Sequence, residues 1–194
     1  MIEYILQQIK DSYETKIEIF NDPELVNIVE EVSLQVIEAY KRGNKILFAG
    51  NGGSAADAQH LVGELVNRFH FDRPGLAAIS LSTDTSVMTA IGNDYNFSKM
   101  FSRQIEAIGV EGDIFIGIST SGNSANIIEA METCQKNGLI SVGLSGRTGG
   151  KLDGKCDYII KIPSENTPRI QESHILIGHI ICAIVEESLF GKGF

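Results

Sequence analysis

The chain has 194 residues and a mass of 21.1 kDa, enough for one sizeable hydrophobic core. A formal net charge of −9 leaves no basic stripe for a phosphate backbone and disfavours nucleic acid and anionic membranes as partners. The amino terminus lacks the basic segment of a signal peptide, and three widely spaced cysteines without a C-x-x-C pair suit a reducing compartment, so we expect a cytoplasmic protein.

Residues 1–43 are predicted to form two helices. Apolar residues recur at helical spacing, first at Ile5, Ile9 and Tyr13 and then through residues 25–37. The pattern breaks at residues 21–23, Asn-Asp-Pro, where the aspartate can cap and the proline can open a second helix.

Five short apolar runs bounded by glycine and serine predict five strands. They lie at residues 46–49, 76–81, 114–118, 140–144 and 158–162. Nearly continuous apolarity indicates strands covered on both faces, and the segments between them have helical periodicity. We therefore expect an α/β fold, a five-stranded parallel sheet flanked by helices, in one domain over 1–194 with a helical segment (1–43) and an α/β core (44–194).

Two helix boundaries are marked by particular residues. Residues 136–138, Lys-Asn-Gly, predict a left-handed stop at the end of one helix. Pro163 and Pro168 bracket the loop before a final helix over 169–190. Its longest apolar stretch, 175–185, is shorter than the roughly 20 residues that span a bilayer, so a buried helix rather than a membrane segment is expected.

A glycine-rich turn follows the first strand at residues 50–55, Gly-Asn-Gly-Gly-Ser-Ala. Such a turn offers free backbone N–H groups and a positive helix end to an anion such as a phosphate. The alternative is a tight turn without a ligand, in which Ser54 caps the following helix.

A serine-rich turn follows the third strand at residues 119–124, Ser-Thr-Ser-Gly-Asn-Ser. Four hydroxyls beside a glycine at a helix start suit a monophosphate, whose oxygens accept several hydrogen bonds, better than an apolar packing role. A simple turn and helix cap is the alternative.

A dinucleotide site is a third interpretation of the glycine turn. Gly50, Gly52 and Ala55 satisfy a relaxed Rossmann pattern, and Asp84 is a conceivable ribose ligand. The separation from Gly50 to Asp84 exceeds the usual ~20 residues, and the serine-rich turn would have no task, so this interpretation is disfavoured.

Candidate acid-base and metal groups lie on two helices. His60 and Glu64 are four residues apart and can share a metal ion or form a surface pair. His179 lies in an apolar stretch as either a core histidine or a proton-transfer group. Arg68 can reach a phosphate or neutralise Glu64, and residues 93–94, Asn-Asp, can contact sugar hydroxyls or form a turn.

Five segments closely resemble the sugar isomerase (SIS) domain family and, within it, the sedoheptulose 7-phosphate isomerases, also called phosphoheptose isomerases. The resemblance runs nearly end to end, in family order and with family-like spacing. The segments are residues 49–60, 83–85, 90–95, 118–124 and 168–175.

The resemblance implies a homotetramer with interfacial active sites and N-terminal helices used in oligomerisation. The implied reaction converts D-sedoheptulose 7-phosphate to D-glycero-D-manno-heptose 7-phosphate through an enediol, the first step of nucleotide-activated heptose synthesis for cell-surface glycans. Glu64 and His179 are the implied catalytic pair. One zinc ion per subunit is implied, with His60, Glu64, Gln171 and His179 as ligands.

The resemblance also implies a set of substrate contacts. The hydroxyls of the serine-rich turn hold the phosphate, and the remaining residues line the sugar. The set is Asn51, Gly52, Gly53, Glu64, Arg68, Asn93, Asp94, Ser119, Thr120, Ser121, Ser124 and Gln171.

Two questions stay open from the sequence. Gln171 and His179 are eight residues apart, about 12 Å of helical rise, so one metal reached by both requires a long reach, an irregular first turn or different subunits. The same fold also serves as a non-catalytic binding or regulatory module, although retention of Glu64 and His179 favours the enzyme.

Overall fold

The computed structural model describes residues 1–193, and it begins with the two predicted helices. They are α1 (Ile2–Phe20) and α2 (Pro23–Lys41). The Asp22 carboxylate accepts a hydrogen bond from the Leu25 N–H at 3.0 Å, and Pro23 occupies the first turn of α2. The predicted cap and break are confirmed, because an aspartate satisfies a free amide there and proline needs no partner for its nitrogen.

Five parallel strands form one sheet in the order β2-β1-β3-β4-β5. The strands are β1 (Ile46–Gly50), β2 (Ala78–Ser80), β3 (Ile114–Ile118), β4 (Ile140–Ser145) and β5 (Tyr158–Lys161). The predicted strand over 76–81 is too long. It lies at the sheet edge and pairs with β1 through three residues, while the Leu76 N–H bonds to the Leu65 carbonyl instead.

Five more helices follow, α3 (Gly53–Val66), α4 (Thr85–Asp94), α5 (Ser102–Ile108), α6 (Ala125–Asn137) and α7 (Thr167–Phe190), and all of them except the exposed α4 pack around the sheet. α6 ends at Gly138, whose φ of 70° gives the predicted left-handed stop. α7 begins two residues before the predicted position, because Pro168 fits inside its first turn.

Alternate strand residues enter two separate hydrophobic cores. Ile46 and Phe48 of β1 face the core shared with α2, α3 and α7, whereas Leu47 and Ala49 face the core shared with α5 and α6. All five residues of β1 are buried. The sheet is therefore covered on both faces, which explains the continuous apolarity of its strands.

The helix α7 is the central helix of the first core. It is apolar enough to resemble a membrane span by length and composition, with a mean hydropathy of 1.4 over 18 residues. It packs against α1, α2 and α3, and Ile177, Ile181 and Val185 are buried there. These contacts are those of a core helix, as predicted for 175–185.

The helix α1 leaves an apolar stripe uncovered. Arg169 and Glu172 of α7 bond to Gln8 and Ser12 and hold one side of α1 against the domain. The exposed stripe comprises Ile2, Tyr4, Ile5, Leu6, Ile9, Tyr13, Ile17 and Phe20. Such a contiguous apolar surface is typical of a face that contacts another molecule.

Candidate active site

The two predicted turns lie side by side at the carboxyl end of the sheet. Gly50, the last residue of β1, pairs with Ile118, the last residue of β3. The chain leaves β1 for β2 on one side and returns to β3 on the other, so the two turns flank the point where strand order reverses. Ligands of open parallel sheets bind at this position.

Glycines determine the shape of the first turn. Gly52 caps α3 with a φ of 56°, a conformation that side chains rarely adopt. A Cβ atom at Gly53 would lie 2.5 Å from Gln171 Nε2, so the glutamine of α7 packs directly against this turn. Ser54 is buried and α3 has no side-chain cap, so the capping interpretation of Ser54 is wrong.

A reciprocal amide pair connects the two turns. Asn51 Nδ2 donates to Asn126 Oδ1 at 3.0 Å, and Asn126 Nδ2 donates to Asn51 Oδ1 at 2.9 Å. Asn126 is 1% exposed, in the first turn of α6. Asn126 is not among the predicted site residues, and its position two residues after the serine-rich turn is the one local signal for it.

The serine-rich turn keeps polar donors available. Ser119 Oγ and Ser124 Oγ lie 2.9 Å apart, and Ser121 Oγ accepts a hydrogen bond from the Asn123 N–H at 3.1 Å. Ser124 is the N-cap residue that precedes α6, but its side chain makes no capping bond. The cap in the alternative interpretation is therefore wrong, whereas Ser121 does form the simple turn. The amide end of α6 has no side-chain cap and can bind an anion.

Three side chains meet on the facing surfaces of α3 and α7. His60 Nε2 lies 2.8 Å from His179 Nε2 and 3.2 Å from Glu64 Oε1. Burial and the neighbouring His60 imidazole lower the pKa of His179, although Glu64 opposes the shift. The His179 ring is therefore neutral at neutral pH and can accept or donate a proton.

These three groups fit a metal ion by their chemistry. One nitrogen or oxygen from each of His60, Glu64 and His179 lies within 4.8 Å of the others. Imidazole and carboxylate are donors that zinc accepts. Three of the four predicted zinc ligands therefore lie close enough together to share one ion.

Gln171, the fourth predicted ligand, lies elsewhere on the same chain. It packs against Gly53 at the start of α3, whereas His60 is seven residues, or about 10 Å of rise, farther along that helix. α7 is unbroken from Thr167 to Phe190, so an irregular first turn does not close the gap.

Within residues 1–193, no hydrogen bond or ion pair joins the predicted contacts Arg68, Asn93 and Asp94 to this cluster. Arg68 is exposed beyond the end of α3 and forms no ion pair with Glu64 within residues 1–193. Asn93 and Asp94 end α4 rather than following it as a turn, and none of the residues of α4 is buried. Asp84 caps α4, because its Oδ1 accepts a hydrogen bond from the Val87 N–H.

The fold and both turns are those of an SIS domain protein, and the SIS domain family matches residues 13–146. The chain is 62% identical over 191 residues to Phosphoheptose isomerase 2 of Campylobacter jejuni, covering 98% of this chain and 95% of that protein. It is 61% identical over 194 residues to phosphoheptose isomerase of Aneurinibacillus thermoaerophilus, covering 100% and 98%.

A solved structure agrees with these relatives. The phosphoheptose isomerase of Neisseria gonorrhoeae superimposes with a TM-score of 0.89 at 40% identity, covering 95% of this chain and 98% of that one. The chain belongs to the phosphoheptose isomerase family.

Proposed function

We propose that this protein isomerises D-sedoheptulose 7-phosphate to D-glycero-D-manno-heptose 7-phosphate, the first step of heptose activation for surface glycans. The observation that supports this most directly is the convergence of Glu64 and His179, a carboxylate and a neutral imidazole, in a chain with phosphoheptose isomerase relatives. A non-catalytic binding module has no use for this pair.

The reaction needs a base for a carbon-bound proton and a second group for the oxygen protons. Glu64 removes the proton from C1 of the open-chain ketose, which gives a cis-enediol, and returns a proton to C2. His179, with its lowered pKa, transfers the proton between the two oxygens. Both groups lie on rigid helices, which fixes their orientation.

The two turns and their neighbours hold the rest of the sugar phosphate. Ser119, Thr120, Ser121 and Ser124 bind the phosphate at the open end of α6. Asn51, Gly52, Gly53, Arg68, Asn93, Asp94 and Gln171 contact the sugar. Phosphate binding contributes orientation at a distance from the reacting carbons.

We infer that each active site combines two subunits. Glu64 is eleven residues, or about 16 Å of rise, beyond Gly53 on α3. Within one chain, the catalytic pair is therefore far from the two turns that are proposed to bind the substrate. A neighbouring chain that supplies Gln171 and the two turns resolves this separation. The proposed homotetramer, with α1 at its interfaces, is such an assembly.

We also propose that zinc binds His60, Glu64 and His179 of one chain together with Gln171 of a neighbour. Zinc held there supplies polarisation of the substrate carbonyl. His60 takes no part in the proposed proton transfer, so its role is that of a zinc ligand. The neighbouring Glu64 carboxylate orients its imidazole.

Zinc is expected to stabilise the folded protein. A ligand present at 100 times its dissociation constant adds about 2.7 kcal/mol, which raises the midpoint of thermal unfolding. Chelator should reverse the rise, and His60→Gln should remove most of it. His70→Gln is the control, because that exposed ring lies outside the cluster. An equal rise in both variants contradicts the assignment.

Removing the apolar character of α1 is expected to break the assembly. Ile5→Glu with Ile9→Glu places two charges in the exposed stripe, which cannot then be buried at an interface without a large desolvation cost. Sedimentation velocity should show smaller species with reduced turnover. Gln7→Glu with Lys10→Gln changes the net charge equally on the polar side of α1 and should leave the assembly intact.

A cytoplasmic location agrees with these proposals, since the substrate is a metabolic sugar phosphate. We also propose that residues 1–194 form one SIS domain, of which residue 194 lies outside the described residues. We propose a sugar phosphate as the ligand, and the net charge of −9 disfavours a nucleic acid or an anionic membrane as a partner.

The test of the function is incubation with sedoheptulose 7-phosphate in deuterated water, followed by proton NMR. Formation of the aldose phosphate with deuterium at C2 is the expected result, and chelator should slow it. A folded assembly that shows no turnover, with or without added zinc, contradicts the isomerase and favours the binding module.

A further inference from the structure

A buried ion pair joins the region after α3 to α7. Arg73 Nε lies 3.0 Å from Glu186 Oε1, and both side chains are 1% exposed. The desolvation of two such charges offsets much of their attraction, so a buried pair by itself adds little stability. A role in fixing the arrangement of the chain accounts better for its presence.

Arg73 binds the free carbonyl end of α3. Its Nη2 donates to the carbonyl of Glu64 at 2.8 Å, and its Nη1 donates to the carbonyls of Leu65 at 2.6 Å and Pro74 at 3.0 Å. Carbonyls in the last helical turn have no partner within the helix. The rigid fork of the guanidinium therefore holds the turn that carries the Glu64 side chain.

Glu186 fixes the same region from the side of α7. Its carboxylate accepts from the N–H groups of Phe69 at 2.8 Å and His70 at 2.6 Å. Although burial opposes ionisation, these bonds and Arg73 lower the pKa of Glu186, so it is charged at neutral pH. The segment from Phe69 to Arg73 is an anchored turn.

The ion pair is also connected to His179. Glu186 lies seven residues after His179, about two turns farther along the same face of α7. The ring of Phe69, whose N–H bonds to Glu186, lies 5.4 Å from the His179 imidazole between centroids. One network thus reaches Glu64 through its backbone and His179 through Phe69.

We propose that Arg73 and Glu186 are positioning residues for the isomerisation. They hold the turn of α3 that carries Glu64 in a fixed position against the turn of α7 that carries His179, and they place Phe69 beside the imidazole. This inference rests on the proposed function. A displacement of about 1 Å between reacting groups can reduce a rate about 100-fold, so the connection has a measurable effect.

The test compares Arg73→Lys and Glu186→Gln with a matched pair elsewhere. Lysine keeps the charge but cannot span the carbonyls and the carboxylate together, and glutamine keeps the size of Glu186 but not its charge. The control is Asp113→Asn. Asp113 is fully buried and bonds to Lys45, Asn44 and Val110, so it belongs neither to the network of Arg73 and Glu186 nor to the cluster of His60, Glu64 and His179.

In Arg73→Lys and Glu186→Gln, kcat should fall about 10- to 100-fold while KM and inhibition by inorganic phosphate change less than about twofold. Asp113→Asn should lower the unfolding midpoint and leave kcat unchanged. Unchanged kcat in both site variants, or an equal loss in Asp113→Asn, overturns the proposal. Should the site variants not fold, Phe69→Leu, at a half-buried position, should lower kcat with the fold intact.

Zinc affinity supplies a measurement that needs no turnover. Competition with a chromophoric chelator should show affinity about 10- to 100-fold weaker in Arg73→Lys than in the natural chain. A natural chain that binds zinc but does not isomerise the sugar phosphate contradicts the proposed function. In that case, the difference in zinc affinity between Arg73→Lys and the natural chain still tests whether Arg73 positions the cluster. A chain that does neither overturns both.

Discussion

Glu64→Gln is expected to lower turnover of sedoheptulose 7-phosphate by about 1,000-fold, because an amide cannot accept the carbon-bound proton. The side chain is 25% exposed, and glutamine has nearly the same size, so the fold should persist. KM should change little, since the phosphate binds at the serine-rich turn. Steady-state kinetics and the exchange of the C1 proton into solvent measure the effect directly.

The matched control for Glu64→Gln is Glu38→Gln. Glu38 pairs with Lys41 on the exposed side of α2 and lies outside the site, so turnover should match that of the natural chain. Equal turnover in Glu64→Gln and Glu38→Gln contradicts the role of Glu64. Sedimentation and circular dichroism distinguish a loss of the catalytic group from a loss of the folded assembly, since only the second changes these signals.

Mixing two inactive variants is expected to restore activity. In the proposed assembly a site takes Glu64 from one subunit and Gln171 from another. Glu64→Gln and Gln171→Leu each disable every site of their own assemblies. After random subunit exchange, about one site in four combines an intact Glu64 with an intact Gln171, so activity should rise to about a quarter of the natural level.

The alternative arrangement predicts a different outcome for the mixture. Where both residues of a site come from one chain, every site in a mixed assembly carries one lesion and the mixture stays inactive. The control mixture combines Glu64→Gln with His179→Gln. These residues meet within one chain, so this mixture should show no recovery.

The sequence was sufficient to predict the order of the elements because each is encoded locally. Asp22 and Pro23 mark a helix start, and Gly138 marks a helix end, through bonds that involve neighbouring residues. The extent of β2 was mispredicted because Leu76 and Leu81 are buried apolar residues that flank the strand without belonging to its ladder with β1. The start of α7 was misplaced because a proline fits in a first turn as well as before it.

The site was predictable where its groups share a helix or follow a strand. The spacing of His60 and Glu64 implies one face, and the two turns lie where parallel strands end together. The contact between Asn51 and Asn126 joins residues 75 positions apart. That contact and the hydrogen bond from the Phe69 N–H to the Glu186 carboxylate depend on tertiary packing. The sequence carries no local signal for either.

An unbroken α7 restricts how the length of this chain can vary. Gln171 and His179 are held at a fixed distance and angle on one rigid helix. A single residue inserted between them rotates one against the other by about 100° and moves it by about 1.5 Å. Insertions and deletions are therefore compatible with function in exposed connections between elements and not in this stretch of eight residues, however well an extra apolar residue is accommodated by the core.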